Sequence, residues 1–293
     1  MCSSDLPDVV LAVDTGDSTS DLLSFDGTLN VVAVEEGSLI EYSTDGGTTW
    51  TTTFHPVEGL NTVLVRATDA AGNVSPSTSF EFTLDSQILA PTVRLQTDTG
   101  VSGGDRNSQS GLLDVSAEAG TTVEYSTDGG VTWVSSFTAV EGANQLLVRA
   151  RDVAGNVSAS TSFSFVRDTV APVASTSVTA PDAAGGIDDA ERLSGMHVNV
   201  ALPPDAVAGW VITVTVTDPD GITHTTTHTV TAGEAAAHQA QVSVPNAHVS
   251  GDGAYSVTAH TSDLAGNVSA ESAAGHFTVL PGLVTEDCVV LGL

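Results

Sequence analysis

The chain contains no lysine, and its seven arginines face 36 acidic side chains across 293 residues, giving a formal net charge of −29 at pH 7. Phosphate binding depends on Lys and Arg, so this deficit excludes a nucleic-acid partner and an anionic membrane surface. Such a surface attracts divalent cations, and without them neighbouring acidic segments repel one another. Cysteine is nearly absent. Cys2 and Cys288 lie in the terminal segments, so no disulfide framework exists. A domain without disulfides relies on its apolar core or on metal ions. Aromatics are 5% of the residues, too few for a surface built on stacking platforms. No apolar run approaches the ~18 residues of a membrane-spanning helix, so membrane insertion is not expected. The opening Met1-Cys-Ser-Ser-Asp-Leu6 has neither the basic start nor the apolar run of a signal peptide and reads as a non-native leader.

What the chain does have is repetition. Tyr42-Ser-Thr-Asp-Gly-Gly recurs at Tyr125-Ser-Thr-Asp-Gly-Gly, and between residues 42–85 and 125–168, 29 of 44 aligned positions are identical at a constant offset of 83. A period this long exceeds a solenoid unit and suits one small domain per repeat. The expected organisation is a leader at 1–6, repeat 1 at 7–86, repeat 2 at 87–169, a longer divergent repeat 3 at 170–280, and the start of a truncated further repeat at 281–293. In that last segment Val284–Val290 reads as a first strand.

Repeats 1 and 2 read as short strands with turn signals every ~8–12 residues, the pattern of a β-sandwich. In repeat 1, Val9–Val13 is a first strand and Leu29, Val31 and Ala33 alternate on a second. Ile40 and Tyr42 begin a third, which turns at Asp45-Gly46 into Thr48–Trp50; Val63, Val65 and Ala67 alternate next, and Phe80 and Phe82 lie on the last. Asp-Gly between alternating segments is a strong hairpin signal. Seven strands fit, with Trp50 and Trp133 as core residues. Repeat 3 keeps the closing turn Asp263-Leu-Ala-Gly-Asn267 but replaces the hairpin with Val211–Val216, a turn at Asp218–Gly221, and Ile222–Val230. Glu234–Gln241 is alanine-rich and is expected to be loop running into strand.

The recurring acids are placed by topology. With Ig-type connections, the loop after the first strand lies at the end of the sandwich where the last strand leaves, and the turn between the last two strands lies at the opposite end. One linker therefore gathers Asp14, Asp17, Asp21, Asp85, Asp152 and Asn156. The next gathers Asp98, Asp105, Asp168, Asp263 and Asn267. Carboxylate, amide and backbone oxygens on loops suit Ca²⁺, which takes about six to eight oxygen ligands. The same Asp and Asn residues also suit plain turn formation, since both tolerate left-handed backbone.

Asp14-Thr-Gly-x-Ser-x-x-Asp21 with its twin Asp98–Asp105, the Tyr-Ser-Thr-Asp-Gly-Gly hairpins, the three Asp-x-Ala-Gly-Asn-Val-Ser turns and the linker Asp168-Thr-Val-Ala-Pro172 together resemble the bacterial Ig-like repeats of giant secreted, biofilm-associated adhesins of the RTX type. The resemblance covers essentially all of residues 7–280. It implies an all-β fold of tandem Ig-like β-sandwich domains in an elongated array, exported by a type I system, with Ca²⁺ at the domain junctions. The linker Asp85-Ser-Gln-Ile-Leu-Ala-Pro91 is longer than the usual Asp-Thr-x-x-Pro.

Other motifs carry less. Gly100-Val-Ser-Gly-Gly104 matches a nucleophile-elbow pattern, but repeat 2 has no histidine to activate a serine. His224 and His228 fall on one face of a strand, where they would share a zinc ion or simply line an exposed sheet. Asp218-Pro-Asp-Gly221 lacks the spacing of an EF-hand loop, and glycine-rich calcium nonapeptides are missing. The expected role is a Ca²⁺-stiffened spacer of an adhesin, extracellular or at the bacterial cell surface, and not an enzyme. Its partners are the neighbouring Ig-like repeats of the same chain, with a host surface or biofilm matrix reached through other domains. The alternatives are glycan- or receptor-binding modules and accessory domains of a secreted hydrolase.

Overall fold

The computed structural model describes residues 6–32 and 35–281. The first five residues of the expected leader, Ala33, both cysteines and the expected strand Val284–Val290 lie outside them. The chain forms two compact units. One comprises Met1–Arg94, Asp114–Phe137 and Gln145–Phe163, and the other Leu95–Leu113, Thr138–Asn144 and Ser164–Leu293. The division runs through repeat 2, so each unit contains the meeting of one repeat with part of the next.

The first unit holds repeat 1, with β1 (Asp8–Leu11), β2 (Leu23–Ser24), β3 (Leu29–Val32), β4 (Leu39–Ser43), β5 (Gly59–Thr68) and β6 (Thr78–Leu84). β1 and β3 pair antiparallel, and the other four form a sheet in the order β2-β6-β5-β4. The alternation seen in the sequence is the burial pattern. Val63 and Val65 of β5 are fully buried and pack with Val9, Leu29, Val31, Ile40, Tyr42 and Phe80, while Leu11, Phe82 and Leu84 form an adjoining cluster. The two-residue β2 was not expected. It runs parallel to the last strand, Leu23 opposite Thr83, and is too short to leave a periodic signature.

The expected strand Thr48–Trp50 is not formed. Among the described residues only a single bridge joins Tyr42 to Thr51. The reason is Asp45, whose carboxylate accepts hydrogen bonds from the amides of Thr48 (3.0 Å) and Thr49 (2.9 Å) and from the Thr49 hydroxyl (2.6 Å), while the Ser43 hydroxyl accepts from the Gly47 amide (2.8 Å). Donors that would have built a ladder are held by side chains instead. Trp50 is likewise not core. It donates its indole N–H to the Gly47 carbonyl (3.0 Å) and lies under the Arg66 guanidinium, 4.0 Å from the ring centre, with Arg66 paired to Glu41.

Repeat 2 repeats this design with β7 (Thr92–Leu95), β8 (Asn107–Ser108), β9 (Leu113–Ser116), β10 (Thr122–Ser126), β11 (Gly142–Arg151) and β12 (Thr161–Arg167). β7 pairs with β9, and the four-stranded order is β10-β11-β12-β8 with β8 parallel to β12. Ser126, Asp128, Trp133, Arg149 and Glu124 occupy the same roles as their counterparts.

The second unit holds repeat 3: β13 (Val178–Thr179), α1 (Asp189–Ser194), β14 (Met196–Ala201), β15 (Val211–Thr217), β16 (Thr223–Thr229), α2 (Ala232–Ala237), β17 (Gln239–Val244), β18 (Gly253–Ser262) and β19 (Gly275–Val279). Two sheets, β13-β14-β17 and β16-β15-β18-β19, enclose a larger Val-rich core around Val198, Val200, Ile212, Val214, Val242, Val257 and Trp210. The alanine-rich segment corrects the expected loop: α2 forms because Thr231 and Glu234 close a reciprocal capping box, the Glu234 carboxylate also meeting His228 at 2.9 Å. Caps of this kind hold short helices that alanine propensity alone does not.

Two outcomes follow. Replacing Thr231 with Ala should lower stability to denaturant by about 1 kcal/mol, the usual worth of such a cap. The Asp45 carboxyl is held down from 3.8 to about 2, first by the Thr49 hydroxyl, then by the Thr49 amide and the Ser43 hydroxyl. A depressed acid stabilises the fold above its unfolded pKa, and that contribution is lost as pH falls through the folded value. In a carboxyl-carbon NMR titration, Asp45 should therefore remain ionised at about pH 3, where ordinary aspartates are mostly protonated.

Candidate functional site

The feature shared by both units is a junction built twice from the same residues. In the first unit, the loop after β1 meets the turn Asp152–Asn156. The Thr15 hydroxyl donates to the Ala154 carbonyl (2.7 Å), and the Asp17 amide donates to the Val153 carbonyl (3.2 Å). In the second unit, the Thr99 hydroxyl donates to the Ala265 carbonyl (2.8 Å) and the Val101 amide to the Leu264 carbonyl (3.2 Å). Each turn answers with its asparagine: the side-chain amide of Asn156 donates to the Asp85 carbonyl (2.7 Å), and that of Asn267 to the Asp168 carbonyl (2.9 Å). Those carbonyls stand at the point where each last strand leaves its repeat.

Glycine makes the approach possible. A Cβ at Gly16 would lie 2.1 Å from the Val153 carbonyl oxygen, and one at Gly100 would lie 2.0 Å from that of Leu264. Side chains of any kind are thus excluded where backbone meets backbone. The Thr hydroxyls are aimed from behind, since Thr15 accepts from the Phe25 amide and Thr99 from the Gln109 amide, both at 2.8 Å.

The sequence-derived acids divide into groups. Asp152 and Asp263 are buried and shape the receiving turns. Each carboxylate takes the backbone N–H and the side-chain amide of its own asparagine, at 2.8 Å in the first and 2.9 Å in the second. Asp14 and Asp98 brace the donor loops, accepting from the amides of Leu22 (3.2 Å) and Arg106 (3.0 Å) through Oδ2. Their other oxygens, Asp14 Oδ1 and Asp98 Oδ1, are buried with no hydrogen-bond partner. Asp21 and Asp105 cap exposed turns by accepting from Leu23 and Asn107, and Asp17 is exposed, contributing its backbone N–H. Asp85 and Asp168 sit at the strand ends, and Asp168 accepts from the Val170 amide (3.0 Å). Burial pushes the Asp85 carboxyl above its ordinary range, and the charges of Asp152, Glu58 and Glu118 add to the rise. Among the described residues no three His, Cys, Asp or Glu side chains converge closely enough to hold a metal by themselves.

The sequence reading gave no junction role to Thr15, Thr99, Gly16, Gly100 or the linker clamps. Glu58 accepts from the Ser86 amide (3.1 Å) and hydroxyl (2.8 Å), as Glu141 accepts from those of Thr169 (2.8 and 3.1 Å). The longer first linker is also tied by the Leu89 amide to Glu118 (3.4 Å). The signal was available, because Thr15-Gly16 recurs at Thr99-Gly100 and Glu58-Gly59 at Glu141-Gly142. His224 and His228 do not share a site: His224 stacks on His248 and faces Asp218, whereas His228 pairs with Glu234.

No family model and no curated protein matches the chain. Among solved structures, a 1.5-MDa bacterial ice-binding adhesin studied for host cell surface retention is 20% identical, with 86% of this chain and 89% of that chain covered at a TM-score of 0.29. A tetra-tandem repeat from the extending region of a large adhesion protein is 20% identical over 94% of this chain and 74% of its own, also at 0.29. A Ca²⁺-stabilised adhesin with which an Antarctic bacterium binds ice is 20% identical over 96% and 75%, at 0.32.

The junction geometry is directly testable. Gly100→Ala should unseat the second junction, since its Cβ has nowhere to go and overpacking at a rigid backbone contact costs about 1–3 kcal/mol. Hydrogen exchange should show the Val101 amide losing its protection while Asp17, in the unaltered first junction, keeps its own.

Proposed function

We propose that the chain is a spacer segment of a large bacterial surface adhesin, in which Ig-like repeats are seated end to end and Ca²⁺ at the seams holds them stiff. The observation that carries this reading is the duplicated junction. A catalytic or ligand-binding module concentrates its chemistry in one pocket, whereas here the feature that recurs residue for residue is the means of attaching the next repeat. The resemblance of the recurring motifs to adhesin repeats points the same way, and with it an extracellular or cell-surface location, secretion and a part in adhesion or biofilm formation.

The cation has support from the acids. Asp14 Oδ1 and Asp98 Oδ1 are unpartnered at the same position of both repeats, and a buried carboxylate oxygen without a donor is costly. Asp85, whose carboxyl is already pushed up by burial and by neighbouring acids, is favoured by protonation or by a nearby cation. In the first junction Asp14, Asp17, Asp21, Asp85, Asp152 and Asn156 would hold the ion; in the second, Asp98, Asp105, Asp168, Asp263 and Asn267. Bound Ca²⁺ supplies positive charge and collects oxygens from flexible loops. The residues themselves do the rest: Asn156 and Asn267 grip the departing strand, and Thr15 and Thr99 fix the loop that would carry the ligands.

Small-angle scattering in EDTA and in millimolar Ca²⁺ tests the reading. The maximum dimension should increase with Ca²⁺, and Asp85→Ala combined with Asp168→Ala should remove the difference. Equal dimensions for the unaltered chain in the two buffers would overturn the calcium-stiffened spacer.

A further inference from the structure

We infer that the turn Asp69–Asn73 of repeat 1 is a third docking site, built to receive the Thr-Gly loop and the last-strand carbonyl of another Ig-like repeat. The inference rests on the reading of the chain as serially seated repeats and identifies a partner for it.

The turn has the internal geometry of the two seated ones. The Asn73 amide donates to Asp69 Oδ1 and its side-chain amide to Asp69 Oδ2, both at 2.8 Å, against 2.8 Å at Asn156 and 2.9 Å at Asn267. The Asp69 amide donates back to the Asn73 carbonyl (3.0 Å), as Asp152 and Asp263 do at 3.2 and 3.0 Å. Gly72 has φ of 87°, close to 95° at Gly155 and 85° at Gly266. What differs is the cover. Ala154 and Ala265 are buried, and a Cβ at Gly155 or Gly266 would strike Gly16 or Thr99 of the seated loop. At the first turn, residues 70–73 are exposed, and a Cβ at Gly72 would meet nothing within 4 Å.

Which partner fits follows from the two occupied examples. It must present a backbone N–H and a hydroxyl from an Asp-Thr-Gly loop, beside a strand end whose carbonyl takes the asparagine amide. The described part of this chain has no spare copy of that surface. Both Asp-Thr-Gly loops are engaged, and the carbonyl of Leu280, just beyond the last strand of repeat 3, is taken by the Arg192 guanidinium at 2.9 Å. The occupant is therefore a further repeat of the repeat 1 or repeat 2 type, not the far end of a second copy.

The test adds such a repeat to the full chain. A copy of residues 87–171 is joined ahead of Pro7, so that Pro7 stands where Pro172 follows in the natural linker. A second chain carries a copy of residues 7–90 there instead. Hydrogen exchange is followed in EDTA. The Val101 amide of the first added copy, and the Asp17 amide of the second, should exchange on the order of tenfold or more slowly than in chains whose added copy carries Gly100→Ala or Gly16→Ala. The native Asp17 and Val101 amides serve as internal standards, and protected amides in the added β5 or β11 report that the copy is folded. If both added loops exchange as fast as their alanine versions while the native amides stay protected, the docking site is refuted and serial seating stands. Loss of protection at the native amides themselves would overturn the seating reading.

Discussion

Where two repeats meet, two successive carbonyls at the tip of the receiving turn each take a donor from the loop of the other repeat. A buried acceptor left without one costs about 1–3 kcal/mol, comparable to the net worth of the seam's own hydrogen bonds. Val153 and Ala154 in one junction, and Leu264 and Ala265 in the other, are supplied by one backbone N–H and one threonine hydroxyl. Backbone donors reach that close only where no Cβ intervenes, so the glycine is required by the carbonyl pair. The threonine follows because an aliphatic residue in its place would leave the second carbonyl dry and unpaired.

The same constraint accounts for the odd two-residue strands. A loop that donates to the next repeat must not move independently of the strand that leads there. The Thr83 and Asp85 amides donate to the carbonyls of Leu22 and Ser24 (2.8 and 3.0 Å), and the Val166 and Asp168 amides to those of Arg106 and Ser108 (2.9 and 3.0 Å). Donor loop and departing strand are thereby one hydrogen-bonded piece. Leu22 and Arg106 adopt left-handed backbone, φ 61° and 62°, to turn the loop into this register, and Asp14 and Asp98 hold the strained residue by its amide. The receiving turn then grips both parts, the loop through its carbonyls and the strand through its asparagine.

Legibility in the sequence tracked the range of the interaction. Alternation marked β5, β6, β11, β12, β15 and β16 because burial on one face is written every second residue. Topology then sufficed to bring the loop after the first strand to the turn of the following repeat. The short parallel strands left no trace, since two residues have no period. The Asp-Gly-Gly segment misled because Asp45 and Asp128 redirect amide donors that a hairpin ladder would have used, an effect of side-chain chemistry and not of turn propensity. Trp50 and Trp133 looked like core by size, yet an arginine over the ring and a carbonyl on the indole N–H let them sit half exposed. In α2, two polar residues three apart outweighed an otherwise weak helical tendency.

Turn formation and the proposed cation binding, alternatives when only the sequence is considered, are compatible at the same junction. The carboxylates of Asp152 and Asp263 each accept from their own asparagine, one donor to each oxygen, which is the turn-forming role. Asp14 and Asp98 commit one oxygen to the loop and leave the other buried and unpaired. At the first linker, Asp85 is disfavoured as an anion by burial and by the acids around it, in a chain with no lysine to offset them. Arg66, Arg94, Arg149, Arg167 and Arg192 pair with acids outside the two junction sets. The hydrogen-bonded seat is the part of the junction that the chain carries itself, and the proposed cation would be the part that its surroundings control.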